Sequence, residues 1–319
     1  MTGAATATPA QVVVALDVGG TGMKCALVGP DGGTYHAERH PTRAERGPAA
    51  VVHSILEITE ALAGRARATG LSPVAVGIAV PGVVDEATGT AKWSANLGFR
   101  DVPLRELVVA RLGLPTALGH DVRAGGVAEA RLGAGRDSRH VLFVAIGTGI
   151  AAAHVVAGSA FAGAHSAAGE LGHIVVRPGG PRCGCGADGC LEAVASAAAV
   201  GRRYAALAGS AATAAEVVAR SAAGDPIAVQ VWRETVDALA DGLAIAQNLY
   251  DPEVVVLGGG LAEAGAALLD PLGAALRQRL TFQREPRLLP AALGDEAGCL
   301  GAALLALDTV PALDTLETP

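Results

Sequence analysis

The sequence predicts a duplicated α/β protein: two lobes built on mostly parallel sheets around a cleft. Three observations predict it. Apolar, β-rich runs alternate with segments of helical period, as in strands and helices packed in layers. A strand, a Gly-Thr-Gly turn and a second strand occur twice, at Gly20-Thr21-Gly22 and at Gly147-Thr148-Gly149. Length sets the scale, because 319 residues that are 51% hydrophobic can bury the core of two domains or of one large bilobal unit.

The elements follow in order. MTGAATATPA reads as a short tail, and QVVVALDVGG as a buried strand that ends in a glycine turn. KCALVGP is the second strand and TYHAERH a third. AAVVHSILEITEALAGRARA has its apolar residues at helical spacing, and VAVGIAVPG is again a buried strand. A polar segment with AKWSANLGF leads to the helix LRELVVARLG, and TALGHD is a strand ending at an acid. HVLFVAIGTGIAAAHVVAG then repeats the opening theme. SAAAVGRRYAALAG, TAAEVVARSAAG and AVQVWRETVDALADGLAIAQNLY are helices; EVVVLGGG is a strand, with LAEAGAALL as the helix after it.

Composition narrows the function. The net charge is −7 and no basic block occurs, which argues against nucleic acid or a membrane surface as partner and for a small molecule. The opening residues lack a basic start and a long apolar run, and later apolar stretches are interrupted, so the expectation is a cytoplasmic protein without a membrane span. Five cysteines, an odd number, do not make a disulfide framework in that compartment; clustered, they point to metal.

Glycine turns suit phosphate because the bare backbone lets N–H groups approach an anion, and the Thr hydroxyl adds a donor. One such turn is equally a simple β-hairpin. Two in matching contexts, with Asp17 ahead of the first and able to hold magnesium, favour nucleotide binding. The strand running into Gly258, Gly259 and Gly260 offers a further close backbone approach, although neither GKS/GKT nor GxGxxG is present. Asp121 stands where α/β folds expose residues at the crevice, as a general base or as the cap of the next helix. Glu170 and His173 can face a ligand together or lie on the surface. His173, Cys183, Cys185 and Cys190 make a complete tetrahedral zinc set, with Gly184, Gly186 and Gly189 supplying backbone freedom. Cys25 and Cys299 lie in apolar runs and read as core residues.

Taken in order, LDVGGTGMK, GIAVPGVVD, the Asp121 region, AIGTGI, GELGH, CGCGADGCLE, VVVLGGG and LGDEAGCLGAA resemble the ROK family of sugar kinases, repressors and relatives, over nearly the whole chain. GELGH with CGCGADGCLE is the most specific part. The resemblance implies the duplicated actin-like, ribonuclease-H-like ATPase fold, with a small N-terminal lobe of residues 1–121 plus 299–319 and a large lobe of 122–298 that carries the zinc loop 173–192. It implies ATP with Mg2+ against the glycine turns, at Asp17, Gly20, Thr21, Gly22, Lys24, Gly147, Thr148, Gly149 and Gly258 to Gly260. It implies a sugar between the lobes, with Asp121 as base, Glu170, His173 and Glu192 on its hydroxyls and Asn96 nearby. Structural Zn2+ on His173, Cys183, Cys185 and Cys190 and a homodimer or homotetramer complete the picture.

Two positions depart from the family's pattern. His120 stands where relatives have the Asn that helps hold a sugar hydroxyl, and a ring nitrogen can donate in its place. GGTGMK replaces the commoner GGTK and resembles the polyphosphate-using glucokinases, which generally lack the cysteine cluster. The expected activity is ATP-dependent phosphorylation of glucose at its 6-hydroxyl. The rivals are an N-acylhexosamine, mannose or fructose kinase, a sugar-binding protein without turnover, and a repressor, against which the shortness of the segment before the first strand argues.

Overall fold

The structure, a computed structural model, describes residues 9–310, so the tail expected at 1–10 falls outside it except for Pro9 and Ala10. The described chain divides into two compact units. One takes the residues up to Ala128, Ala164–Ser166 and the chain from Glu296; the other takes Glu129–Gly163 and Ala167–Asp295.

The first unit runs β1 (Gln11–Val18), β2 (Gly22–Val28), β3 (Thr34–Pro41), α1 (Pro48–Ala68), β4 (Ser72–Val80), β5 (Val83–Asp85), β6 (Thr90–Ser94), β7 (Phe99–Val102), α2 (Leu104–Leu112), β8 (Thr116–His120) and α3, which spans Asp121–Arg131 and ends in the second unit. The sheet order is β3-β2-β1-β4-β8. Its parallel strands β1 and β4 are mostly apolar and buried because both faces are covered. Val12, Val14, Leu16 and Val18 share a core with Val51, Ile55 and Leu62, the buried stripe of α1, which begins at a proline suited to the first helical turn.

The second unit runs β9 (His140–Ile146), β10 (Ile150–Val156), β11 (Ser159–Ala160), α4 (Leu191–Ala195), α5 (Ala197–Ala208), α6 (Ala214–Ala222), α7 (Pro226–Tyr250), β12 (Val254–Gly258), α8 (Ala266–Arg277) and β13 (Arg287–Pro290). Helix α9 (Ala297–Leu307) belongs to the first unit, where it packs on β1, β4 and β8. The second sheet has the order β11-β10-β9-β12-β13. Its core joins Leu142, Val144 and Ile146 to Leu239 and Leu243 of α7 and to Leu268 and Leu272 of α8.

The duplication is explicit in the pairing. β1 is antiparallel to β2 and parallel to β4, and β4 is parallel to β8; β9 is antiparallel to β10 and parallel to β12, and β12 is parallel to β13. This is the actin-like α/β architecture expected from the sequence.

Three local readings need correction. The polar segment around AKWSANLGF folds as a small antiparallel sheet, β5-β6-β7, of strands too short to show a period. LAEAGAALL is not one helix: Ala262–Ala264 form a 3₁₀ turn, Gly265 takes φ +56°, and α8 starts only at Ala266. Among the metal-loop glycines, Gly186 and Gly189 have φ of +99° and +78°, whereas Gly184 does not adopt this left-handed conformation.

Candidate functional site

In the first unit β1 runs into a glycine turn closed by the Gly19 N–H donating to Gly22 O at 2.9 Å. Buried Thr42 pins this turn, its hydroxyl donating to Gly19 O at 2.6 Å and its N–H to Thr21 O at 3.0 Å. Asp17 and Lys24 oppose each other across β1 and β2, with Nζ 3.7 Å from Oδ2. Asn96 lies against Gly20, where an added Cβ would come within 3.3 Å of the Asn96 side chain. The structure thus gathers Asp17, Gly20, Thr21, Gly22, Lys24 and Asn96 at one turn.

Strand β8 ends at buried His120, and Asp121 opens α3. Asp121 Oδ1 accepts from the Val122 N–H at 2.7 Å and lies 3.3 Å from His120 Nε2. That contact is with the adjoining residue, so Asp121 is placed by the first turn without reaching further along the helix. Desolvation raises its pKa above the ordinary aspartate value, and the Val122 N–H and the charges of Arg123 and Lys24 offset this only in part. Arg123 is almost fully buried. It donates from Nε to Glu86 Oε1 at 2.8 Å and from Nη1 to Ser166 O at 3.2 Å. Sequence reading missed Thr42, Glu86 and Arg123, since nothing near them in the chain marks them.

In the second unit the Gly147-Thr148-Gly149 turn closes one residue tighter, with the Gly147 N–H donating to Gly149 O at 2.9 Å. The triple glycine folds onto it: Gly259 has φ +81°, an added Cβ would sit 2.6 Å from Ile146 O, and Leu261 N–H donates to that oxygen at 3.0 Å. Only glycine satisfies both the torsion and the approach. Gly258, Gly259 and Gly260 line a cavity of about 660 Å³ with Glu263, Pro290, Ala291 and Asp295. Such a glycine-walled hollow can admit a nucleoside.

Beside this turn, Glu192 Oε2 accepts from the Ile150 N–H at 3.0 Å. Glu192 lies in the first turn of α4, directly after the metal loop. His173 Nδ1 lies 3.6 Å from Cys183 Sγ, Cys185 Sγ is 3.6 Å from Cys190 Sγ, and the four candidate donor atoms all lie within 4.8 Å of one another. Zn–S and Zn–N bonds of about 2.3 and 2.0 Å make tetrahedral edges of about 3.5 to 3.8 Å, so this set can hold such an ion. Desolvation and the neighbouring sulfurs push the Cys190 thiol up to about 12, while the Ala187 N–H chiefly lowers exposed Cys185. Thiolates this close need a cation to coexist. The ring is shared, since His173 Nε2 faces Glu170 Oε2 at 3.8 Å. Glu170 also borders a largely apolar cavity of about 230 Å³ walled by His154, Phe161 and Tyr250.

A duplicated actin-like frame with two glycine turns and a cluster of one histidine and three cysteines defines a narrow class of proteins. A match to the ROK family spans residues 13–309, and the chain belongs to that family. It is 31% identical to the glucokinase of Streptomyces coelicolor over 94% of this chain and 99% of that protein. The ROK hexokinase of Thermus thermophilus superposes with a TM-score of 0.83 at 35% identity, covering 93% of this chain and 98% of that one. A ROK family glucokinase from Streptomyces griseus, in complex with glucose and AMPPNP, gives 0.77 at 31% identity over 93% and 99%. Among the described residues no helix is long and apolar enough to cross a membrane.

Proposed function

We propose that this protein is an ATP-dependent hexose kinase that phosphorylates glucose at the 6-hydroxyl. The observation that carries the reading is a desolvated carboxylate, Asp121, in the same unit as a glycine turn bearing Asp17. Phosphoryl transfer asks for that combination: a base for the hydroxyl and a cradle for the phosphates. In this reading Asp121 takes the 6-hydroxyl proton as that oxygen bonds to the γ-phosphorus and the bond to the leaving ADP breaks. Backbone N–H groups of the two turns receive the developing charge, and Gly258 to Gly260 flank the adenosine. Asp17 is the residue that would hold magnesium, whose charge lowers the cost of bringing an alcohol to a polyanion.

Glu170, His173 and Glu192 hold sugar hydroxyls, with Asn96 beside the first turn. The 3.8 Å between His173 Nε2 and Glu170 Oε2 is too long for a hydrogen bond and suits two groups that both reach one ligand hydroxyl. Cys183, Cys185, Cys190 and His173 Nδ1 would hold a structural zinc, which fixes the tautomer and aim of the ring. Their work is to shape the sugar wall, apart from the transfer itself.

The test is a panel of hexoses with ATP and polyphosphate as competing donors. Glucose with ATP should give the highest kcat/KM. Preference for an N-acylhexosamine, mannose or fructose would move the substrate, preference for polyphosphate would move the donor, and sugar binding without turnover would make the protein a binder.

A further inference from the structure

We propose that His120 is a positioning residue for the base, holding Asp121 by one carboxylate oxygen so that the other is presented to the substrate. This rests on the kinase reading of Asp121. The geometry assigns both ring nitrogens. The Arg123 backbone N–H points at His120 Nδ1 from 3.4 Å, so that nitrogen carries a lone pair, and in a neutral imidazole the proton then sits on Nε2. Nε2 lies 3.3 Å from Asp121 Oδ1, the oxygen that also accepts from the Val122 N–H at 2.7 Å. The Val122 N–H bond to Oδ1, with the His120 ring nitrogen in close contact with that same oxygen, restrains rotation about the carboxyl bond and leaves Oδ2 as the oxygen for the hydroxyl.

The histidine is itself braced. It is 8% exposed, and its own N–H lies 3.5 Å from Glu86 Oε1, the same oxygen that binds Arg123 Nε at 2.8 Å. Arg123, from the first turn of α3, thus fixes the ring through its backbone N–H and Glu86 through its side chain. With Nδ1 accepting from the Arg123 N–H and Nε2 turned toward Asp121 Oδ1, the buried ring is directed at the base. His120 therefore does not replace the Asn of relatives as a sugar contact; it serves the base.

Two readouts test this. Ring ¹⁵N shifts of the ¹⁵N-histidine-labelled protein, with His120 assigned by its loss in His120→Gln, should show the Nε2–H tautomer near pH 7.5. In kinetics with the best hexose of the panel, His120→Ala should lower kcat about 10- to 100-fold and leave the hexose Kd, measured by calorimetry without ATP, within about three-fold. The acid limb of kcat/KM should move to higher pH, because the carboxylate loses a donor while Arg123, Lys24 and Glu86 stay in place. His120→Gln, which can still donate to Oδ1, should recover part of kcat and return the limb toward wild type. The proposal is overturned by an Nδ1–H tautomer, by a variant that loses hexose affinity at unchanged kcat, or by variants that keep wild-type kcat and pH profile. If His120→Ala does not fold, His120→Gln and His120→Asn decide on the same readouts. A wild type that phosphorylates no hexose overturns the kinase reading itself, a result distinct from active wild type with unaffected variants.

Discussion

The sheet of β1, β2, β3, β4 and β8 and the sheet of β9 to β13 share strand order and pairing, yet their glycine turns are furnished differently. In the first, Asp17 opposes Lys24 one step before the turn; at the corresponding register of the second, Ala145 opposes Ala151. The second turn gains its polar neighbour from outside the sheet, through Glu192 on the Ile150 N–H, and its triple glycine from β12. The covering also differs. On the first sheet α9 comes so near that a Cβ on Gly77 would lie 1.9 Å from Ala302 O, whereas the corresponding strand position in the second sheet carries the fully buried side chain of Val256. A duplicated backbone therefore supplies two similar turns, and a few paired positions and the segments inserted between strands decide which turn carries the Asp–Lys pair and which is joined by the cysteine loop and Glu192.

The strongest way to break this division is at the charged half. Asp121→Asn should cut kcat about 10²- to 10⁴-fold while hexose affinity stays within a few-fold, since the variant keeps the shape and loses the base. In the wild type kcat/KM should fall as pH drops through the pKa of Asp121, at a pH above that of an ordinary aspartate because burial raises it. Activity above half of wild type in the variant would remove Asp121 from the role and leave the first half without its chemistry.

The corresponding blow to the second half is Cys185→Ser. Zinc content by metal analysis should fall toward zero and hexose affinity should weaken about 10- to 100-fold, because His173 loses its anchor and Glu192 follows directly on the loop. Affinity for an ATP analogue should change far less, as the Gly147–Gly149 turn closes on itself, Gly147 O is bound by the Ala197 N–H and Gly259 lies against Ile146 O, while Glu192 meets the turn's edge at the Ile150 N–H. An equal loss of both affinities with the circular dichroism spectrum intact would show that sugar and nucleotide determinants are not separable in this unit.

How much of this could be read from the chain depended on whether a signal was local. The paired hairpins, α1, α7 and the set of His173 with three cysteines are written in contiguous period, glycine placement and spacing. β13 has four residues and α4 five, too few to show a period, and the residues of α9 read as an apolar glycine-containing run. Glu86 and Arg123 meet across 37 positions, and Thr42 reaches Gly19 across 23, so their roles arise only from tertiary folding. His120 was legible as an anomaly, but its ring nitrogens acquire partners only once β8 turns into α3.

Packing offers a smaller test of the same comparison. Gly77→Ala places a methyl against the Ala302 carbonyl and should cost about 1 to 3 kcal/mol in denaturant unfolding, with α9 forced outward. Val256→Ala, at the corresponding strand position of the second sheet, removes volume from a site that already holds a branched side chain, and should destabilise through loss of contact. If Gly77→Ala is neutral, the close approach of α9 is not a constraint on the first half.

The finest test lies within the metal loop, where the two glycines flanking Cys185 differ. Gly186 has φ +99°, so Gly186→Ala forces an L side chain into a conformation it rarely adopts and should cost about 1 kcal/mol, felt as weaker metal retention in a chelator competition. Gly184 adopts no such torsion, and an added Cβ there meets nothing within 4 Å. Gly184→Ala should leave metal content unchanged and raise the unfolding free energy by at most about 0.4 to 1 kcal/mol through the less free unfolded chain. The pair separates two explanations of a glycine-rich Cys-Gly-Cys-Gly run. If one torsion shapes the loop, only Gly186→Ala loosens the metal; if the loop needs diffuse flexibility, both variants loosen it alike, and the folded geometry at Gly186 is not what brings the sulfurs together.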